Sequence, residues 1–202
     1  MTQSADPAEK HLAARVGAGI RALREKAGLS TRQLAKAAGI SQAFLSQIER
    51  GLSAPSMATT YRLAEALEVV PGALLPPMER TSPVTFVPAV EGRTLPVADR
   101  EGAAVGRALM MDPGKSLEVI EYVIEPGQYI QEWFQLEGEL AVYLVSGALD
   151  VEVEGEGTWR LGPRDLIAHP AGIRHRWLLV ENQPAHVLFV IAHPEGGKRR
   201  AT

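Results

Sequence analysis

Leu29-Ser30-Thr31-Arg32-Gln33-Leu34-Ala35-Lys36-Ala37-Ala38-Gly39-Ile40-Ser41-Gln42-Ala43-Phe44-Leu45-Ser46-Gln47-Ile48-Glu49-Arg50-Gly51 is the stretch that decides how the N-terminal third folds. Ser30 followed three residues later by Gln33 is a capping-box pair, which opens a short helix through Leu34 and Ala35. Gly39 breaks that helix; lacking a Cβ, it can take a left-handed turn without a clash. Ser41 caps a second helix whose inward residues Phe44, Leu45 and Ile48 recur at helical spacing, and Gly51 ends it. Two short helices joined at a glycine, the second polar on its outer face, suit a helix-turn-helix.

The helical pattern continues on both sides. Leu12, Val16, Ile20, Leu23 and Ala27 recur at spacings of three and four, and Gly28 follows as a C-terminal cap. Pro55-Ser56 opens a further helix with Tyr61, Leu63, Ala64 and Leu67 expected inward, and a last turn covers Pro71 to Leu75. The expectation is a five-helix all-α domain over residues 9–75, preceded by a disordered N-terminus at 1–8.

Beyond Leu75 the grammar changes. Residues 76–83 hold three prolines with no periodic apolar pattern and read as a linker. From 84 to 195, short β-rich runs alternate with turn signals every eight to twelve residues or so, as in a sandwich or barrel. The runs include Leu117–Ile124, Ala141–Val145, Ala148–Val153, Leu166–His169, Trp177–Val180 and Val187–Ile191; Glu125-Pro126-Gly127, Ser146-Gly147 and Gly155-Glu156-Gly157 punctuate them. The basic tail 196–202, with Lys198, Arg199 and Arg200, is expected to be disordered. The chain is thus α + β and multidomain.

The net charge of −3 hides an asymmetry. Residues 1–76 carry nine Lys/Arg against six Asp/Glu, and residues 77–202 carry twelve against eighteen, so +3 faces −6. The first part alone suits a polyanion, and mildly. With no cysteine, disulfides and thiolate metal sites are excluded. No apolar run reaches the roughly 20 residues of a membrane span, and the first residues lack the apolar core of a signal peptide. A cytoplasmic protein without membrane contact is expected.

The segment from Leu29 to Gly51 closely resembles the phage-repressor (XRE) type of helix-turn-helix, and the resemblance extends to Leu75. It implies a homodimer on a palindromic operator of double-stranded DNA, with the helix opened by Ser41 in the major groove. Carried over by position, Gln42 and Gln47 read bases; a glutamine amide can pair with N7 and N6–H of adenine. Ala43 and Phe44 would pack on thymine methyls, Ser46 would reach bases or phosphate, and Thr31, Arg32 and Ser41 would touch phosphate. The resemblance also implies a buried structural ion pair between Arg24 and Glu49.

Pro170-Ala171-Gly172-Ile173-Arg174-His175 matches the second motif of the cupin barrel, a small jelly roll, with His175 at a metal-ligand position. In the first motif Gly127 is in place, but Trp133 and Gln135 stand at the two histidine positions and the glutamate position falls at Glu139 with the spacing one residue off. A transition metal wants several imidazoles or carboxylates converging on it. His175 and Glu139 give at most two, so neither a metal nor another cofactor is expected. Trp133, Gln135, Glu139, Tyr143, His175 and Trp177 would instead line a pocket for a small-molecule effector of unknown identity, or their aromatics would simply fill the interior. No nucleophile–base arrangement is visible.

Three functions follow from these features: a one-component regulator that binds an operator and senses a small molecule, which is the expected one; a metal-dependent enzyme carrying a DNA-binding domain; and a regulator whose barrel is a pure dimerisation module.

Overall fold

The computed structural model describes residues 7–76, 84–112 and 115–194. Apart from Pro7, Ala8 and Pro76, the expected N-terminal segment and linker lie outside the described residues, as does the whole basic tail.

Four α-helices come first: α1 (Pro7–Lys26), α2 (Thr31–Ala37), α3 (Gln42–Glu49) and α4 (Met57–Ala66). The fifth expected helix is a single 3₁₀ turn, Pro71–Leu74, too short to be an α-helix. The first helix starts at Pro7, two residues before the expected boundary. The caps form as the sequence requires. Gln33 N–H donates to Ser30 Oγ and Ser30 N–H to Gln33 Oε1, Phe44 N–H donates to Ser41 Oγ, and Thr59 N–H to Ser56 Oγ. Each satisfies an amide that the first helical turn leaves without a partner. Gly39 takes φ +63°, the left-handed turn that separates α2 from α3.

Ile20, Leu34, Leu45, Ile48 and Leu63 are fully buried in one cluster that these helices share. Burying each such side chain contributes about 1.5–3 kcal/mol, which is what holds helices this short together. α1 crosses the end of α3 so closely that a Cβ on Gly17 would lie 2.1 Å from the Ile48 carbonyl oxygen.

Among the described residues nine strands follow, all paired antiparallel: β1 (Arg93–Pro96), β2 (Val105–Met110), β3 (Leu117–Ile124), β4 (Glu139–Gly147), β5 (Leu149–Val153), β6 (Gly157–Leu161), β7 (Leu166–Pro170), β8 (His175–Leu179) and β9 (Ala185–Ala192). They form a six-stranded sheet ordered β1-β2-β3-β9-β4-β7 and a three-stranded sheet ordered β6-β5-β8. The two face each other across a shared apolar core: Trp177 of β8 meets Phe189 of β9 edge-on at 5.2 Å between ring centroids. β1, β2 and β6 were not foreseen. Ser146-Gly147 is not a turn; the register shifts between Leu144 and Ser146, a bulge that carries β4 on through Gly147.

One expectation about the core is corrected. Tyr61 does not pack with Leu63 and Ala64 among the helices. Together with Met57 and Ala58 it lies in the core of the β-domain, so α4 buries one side in each cluster.

Candidate nucleic-acid interface and the β-domain interior

The helix α3 is anchored by Leu45 and Ile48, which are fully buried, and its other side faces solvent. Gln42, Ala43 and Gln47 are exposed, and Ser46 is half-buried. Among the described residues, the amides of Gln42 and Gln47 and the guanidinium of Arg32 make no side-chain hydrogen bond within the chain. Phe44 is different. It is half-buried and packs on the helical core, because position 44 lies between the inward and outward faces. Ser41 spends its hydroxyl on the cap, and Thr31 sits half-buried in the first turn of α2.

Ala43, Ser46, Gln47 and Arg50 fall at i, i+3, i+4 and i+7, a single helical stripe. Arg50 is exposed and extends that stripe by one positive charge; its Nε donates to the Ser46 carbonyl at 3.1 Å. Arg50 is not among the expected contact residues, although its helical spacing from Ala43 and Gln47 points to the same face. Arg32 and Lys36, both exposed on α2, add further positive charge beside it.

The orientation of this unit rests on Arg24 and Glu49. Arg24 Nε and Nη2 donate to the two Glu49 oxygens at 2.6 and 2.9 Å, and Nη1 donates to the Leu29 carbonyl at 3.0 Å. The two-pronged geometry fixes the end of α1 to the end of α3 and to the turn before α2.

In the β-domain, the six expected pocket residues separate. His175 and Trp177 point inward and are fully buried. Trp133, Gln135, Glu139 and Tyr143 do not. Phe134 exchanges two backbone hydrogen bonds with His175, at 2.8 and 3.0 Å, which turns Phe134 inward and its neighbours Trp133 and Gln135 outward. Outside, the Trp133 ring receives the guanidiniums of Arg174 and Arg176 at 5.0 and 4.7 Å, and Gln135 bonds the Gly172 carbonyl at 3.1 Å. Glu139 is exposed at the start of β4. Tyr143 lies on the outer face of the six-stranded sheet, while Leu140, Val142 and Leu144 on alternate positions are buried.

The interior around His175 is aromatic. Phe134 and Phe189 stand against it at 5.7 and 5.9 Å between ring centroids, Trp177 packs on both of them, and Tyr122 packs on Trp177. His169 of β7 brings its ring to 5.0 Å from that of His175. Both nitrogens of His175, Nε2 of His169 and Nε1 of Trp177 are buried without a hydrogen-bond partner. Burial, and secondarily the imidazole of His169, push His175 down to about 3. It is a neutral imidazole at any ordinary pH.

This donor set does not fit the metal that the cupin motif implies. Among the described residues no group of three His, Cys, Asp or Glu side chains converges. The first-motif positions are turned out of the interior, and aromatic rings take the space where a second and third ligand would stand.

Residues 20–75 match the family model described as helix-turn-helix, and residues 120–191 match the cupin domain. The chain is 32% identical over 117 residues to the HTH-type transcriptional regulator DdrOP3 of Deinococcus deserti, covering 58% of this chain and 88% of that one. The chain belongs to the HTH-type transcriptional regulators. A second relative among these regulators, SutR of Escherichia coli, is 25% identical over 177 residues, 87% of this chain and 93% of its own. The crystal structure of an HTH_3 family transcriptional regulator from Vibrio cholerae shares the fold, with a TM-score of 0.64 at 21% identity over 93% of this chain and 99% of that one. In this regulator, then, α2 and α3 lie within the helix-turn-helix match, and β4 to β8 with most of β3 and β9 within the cupin match. No helix among the described residues is long and apolar enough to cross a membrane.

Proposed function

We propose that this regulator binds a specific double-stranded operator as a homodimer, with α3 in the major groove, and that its cupin barrel senses a small uncharged molecule rather than catalysing a reaction. The observation that carries the reading is the outer stripe of α3. Gln42 and Gln47 present amides that no described residue pairs, on a helix whose opposite side is locked by Leu45 and Ile48. Thr31, Arg32 and Ser41 flank it toward the backbone phosphates, and Arg50 adds a phosphate contact at the far end. Its site of action is the bacterial cytoplasm, where the operator is.

For the effector, His175, Trp177 and His169 supply hydrogen-bonding nitrogens in an aromatic interior without counter-charge, which a ligand would enter by displacing the rings that fill it. A charged ligand would lose its hydration there without compensation, which favours an uncharged one. For the dimer, the outer face of the six-stranded sheet carries an apolar patch beside the Arg107–Glu121–His186 cluster. Val119, Val190, Ala141 and Ala168 stand side by side in one row, and Leu188, Tyr143 and Leu166 in the next.

Selection of duplexes from a random pool by the full chain tests the main claim. The expected product is a two-fold-symmetric sequence with half-sites about 34–36 Å apart. Equal retention of all sequences would overturn it. Elemental analysis separates the enzyme reading: stoichiometric iron, manganese, nickel or zinc in the purified chain would revive it.

A further inference from the structure

Helix α4 belongs to both domains at once. On one side Leu63 and Ala64 complete the helical core against which α2 packs. On the other, Met57, Ala58 and Tyr61 enter the core of the cupin domain. Polar contacts reinforce the junction at both ends of this face. Asp99, in the loop after β1, accepts from the Ser56 N–H at 2.7 Å and from the Thr59 hydroxyl, and Ala58 N–H reaches the Val97 carbonyl at 3.4 Å. One turn later the Tyr61 hydroxyl donates to Glu118 Oε2 at 3.0 Å, and Glu118 Oε1 lies 3.0 Å from His193 Nε2. Glu118 is 2% exposed and His193 8%. A carboxylate buried this deeply needs its partners, and one of them comes from the DNA-binding domain.

Between these two ends runs a third contact. The Tyr122 hydroxyl meets Met57 Sδ at 3.0 Å. The Tyr122 ring stands edge-on to Trp177 at 5.6 Å, and Trp177 is one of the residues of the His175 cage. Trp177, Tyr122 and Met57 therefore form an unbroken column from the cupin interior to the first turn of α4. Packed interiors transmit displacement because they have no slack.

We infer that α4 is the transmission element of this regulator: Asp99 and Glu118 latch it to the cupin domain, and the Trp177–Tyr122–Met57 column conveys the state of the cupin interior to the helices that hold α3. That the signal begins with a ligand rests on the effector reading above; the latch and the column do not.

The test uses the full chain without DNA or ligand. Calorimetry of the wild type should give a single unfolding transition, since neither core is complete without α4, and the Asp99→Ala/Tyr61→Phe variant should split it in two. Two separate transitions in the wild type, or one in the variant, would overturn the latch. For the column, hydrogen exchange is followed in Tyr122→Phe, which loses one hydroxyl and keeps its ring. Exchange at the α4 amides should rise at least tenfold relative to those of β9. An equal rise in both, or a rise confined to β3, would overturn the column. Failure to recover an operator would sink the proposed function and leave these outcomes readable.

Discussion

Arg24 and Glu49 lie 25 positions apart in the chain, and their side chains meet in a paired ion contact at 2.6 and 2.9 Å, both nearly buried. A surface pair of this kind is worth little, but truncating one partner of a buried pair strands the other charge. Glu49→Ala should therefore cost about 3–5 kcal/mol in urea denaturation. The double replacement Arg24→Met/Glu49→Leu should cost less than Glu49→Ala alone. A Glu49→Ala loss below that of the double variant would mean that the pair is not where the folded helices store their mutual orientation.

Gln42→Ala removes an amide that nothing among the described residues uses, so stability should not change. Specific operator binding should weaken by about 1–3 kcal/mol and relax preference at one base pair, with binding to random duplex unaltered. Fluorescence anisotropy with both duplexes reads the difference. An equal loss on random DNA would reassign Gln42 to the phosphate backbone.

The helix-turn-helix was legible because its signals are local. Ser30, Gln33, Gly39, Ser41 and Gly51 each act within a few residues of themselves, and the structure uses all five where they were read. The cupin site was less legible because strand parity is not local. In β4, Leu140, Val142 and Leu144 alternate with Ala141, Tyr143 and Val145, and both sets are apolar, so the sequence does not say which faces inward. At residues 133–136 the pairing of Phe134 with His175 decides, and it placed the expected Trp133 and Gln135 outside. A slip of one residue inverts every side chain in a strand. Tyr61 differs for a related reason: α4 is buried on nearly all sides, its threonines included, and a residue that reads simply as buried does not say in which of two cores.

His175 titrates far from its ordinary value, and stability carries the mark of it. Unfolding returns the imidazole from about 3 to 6.5, so between those values the unfolded chain binds a proton that the folded chain refuses. On this account stability falls as pH drops from 6.5 toward 3, by about 1.4 kcal/mol per pH unit, and is unaffected above 6.5. Denaturation at pH 4.5, 5.5 and 7 should give a shallower pH slope for His175→Phe than for the wild type. Equal slopes, or a His175 imidazole resonance titrating near 6.5 in the folded chain, would contradict a sealed interior.

A dimer built on the six-stranded sheet has its weakest point at the middle of that face. Leu166 and Val123 are 60% and 55% exposed, and Tyr143 stands between Leu188 and Leu166 across the paired strands. In a two-fold interface each of these meets its own copy or a near neighbour, so a single substitution acts twice. A stable interface covers about 800 Å² per partner, which a face six strands wide can supply. Leu188→Arg puts two guanidiniums into that contact, each beside a Glu121 that Arg107 and His186 already engage, while leaving the inward residues Val187 and Phe189 untouched. Sedimentation should find twice the chain mass for the wild type and the single chain mass for the variant. The variant's affinity for a half-site should be kept and that for the full palindrome lost, because two half-sites then bind independently. A Leu188→Arg protein that still sediments at the mass of a dimer would move the contact to another surface.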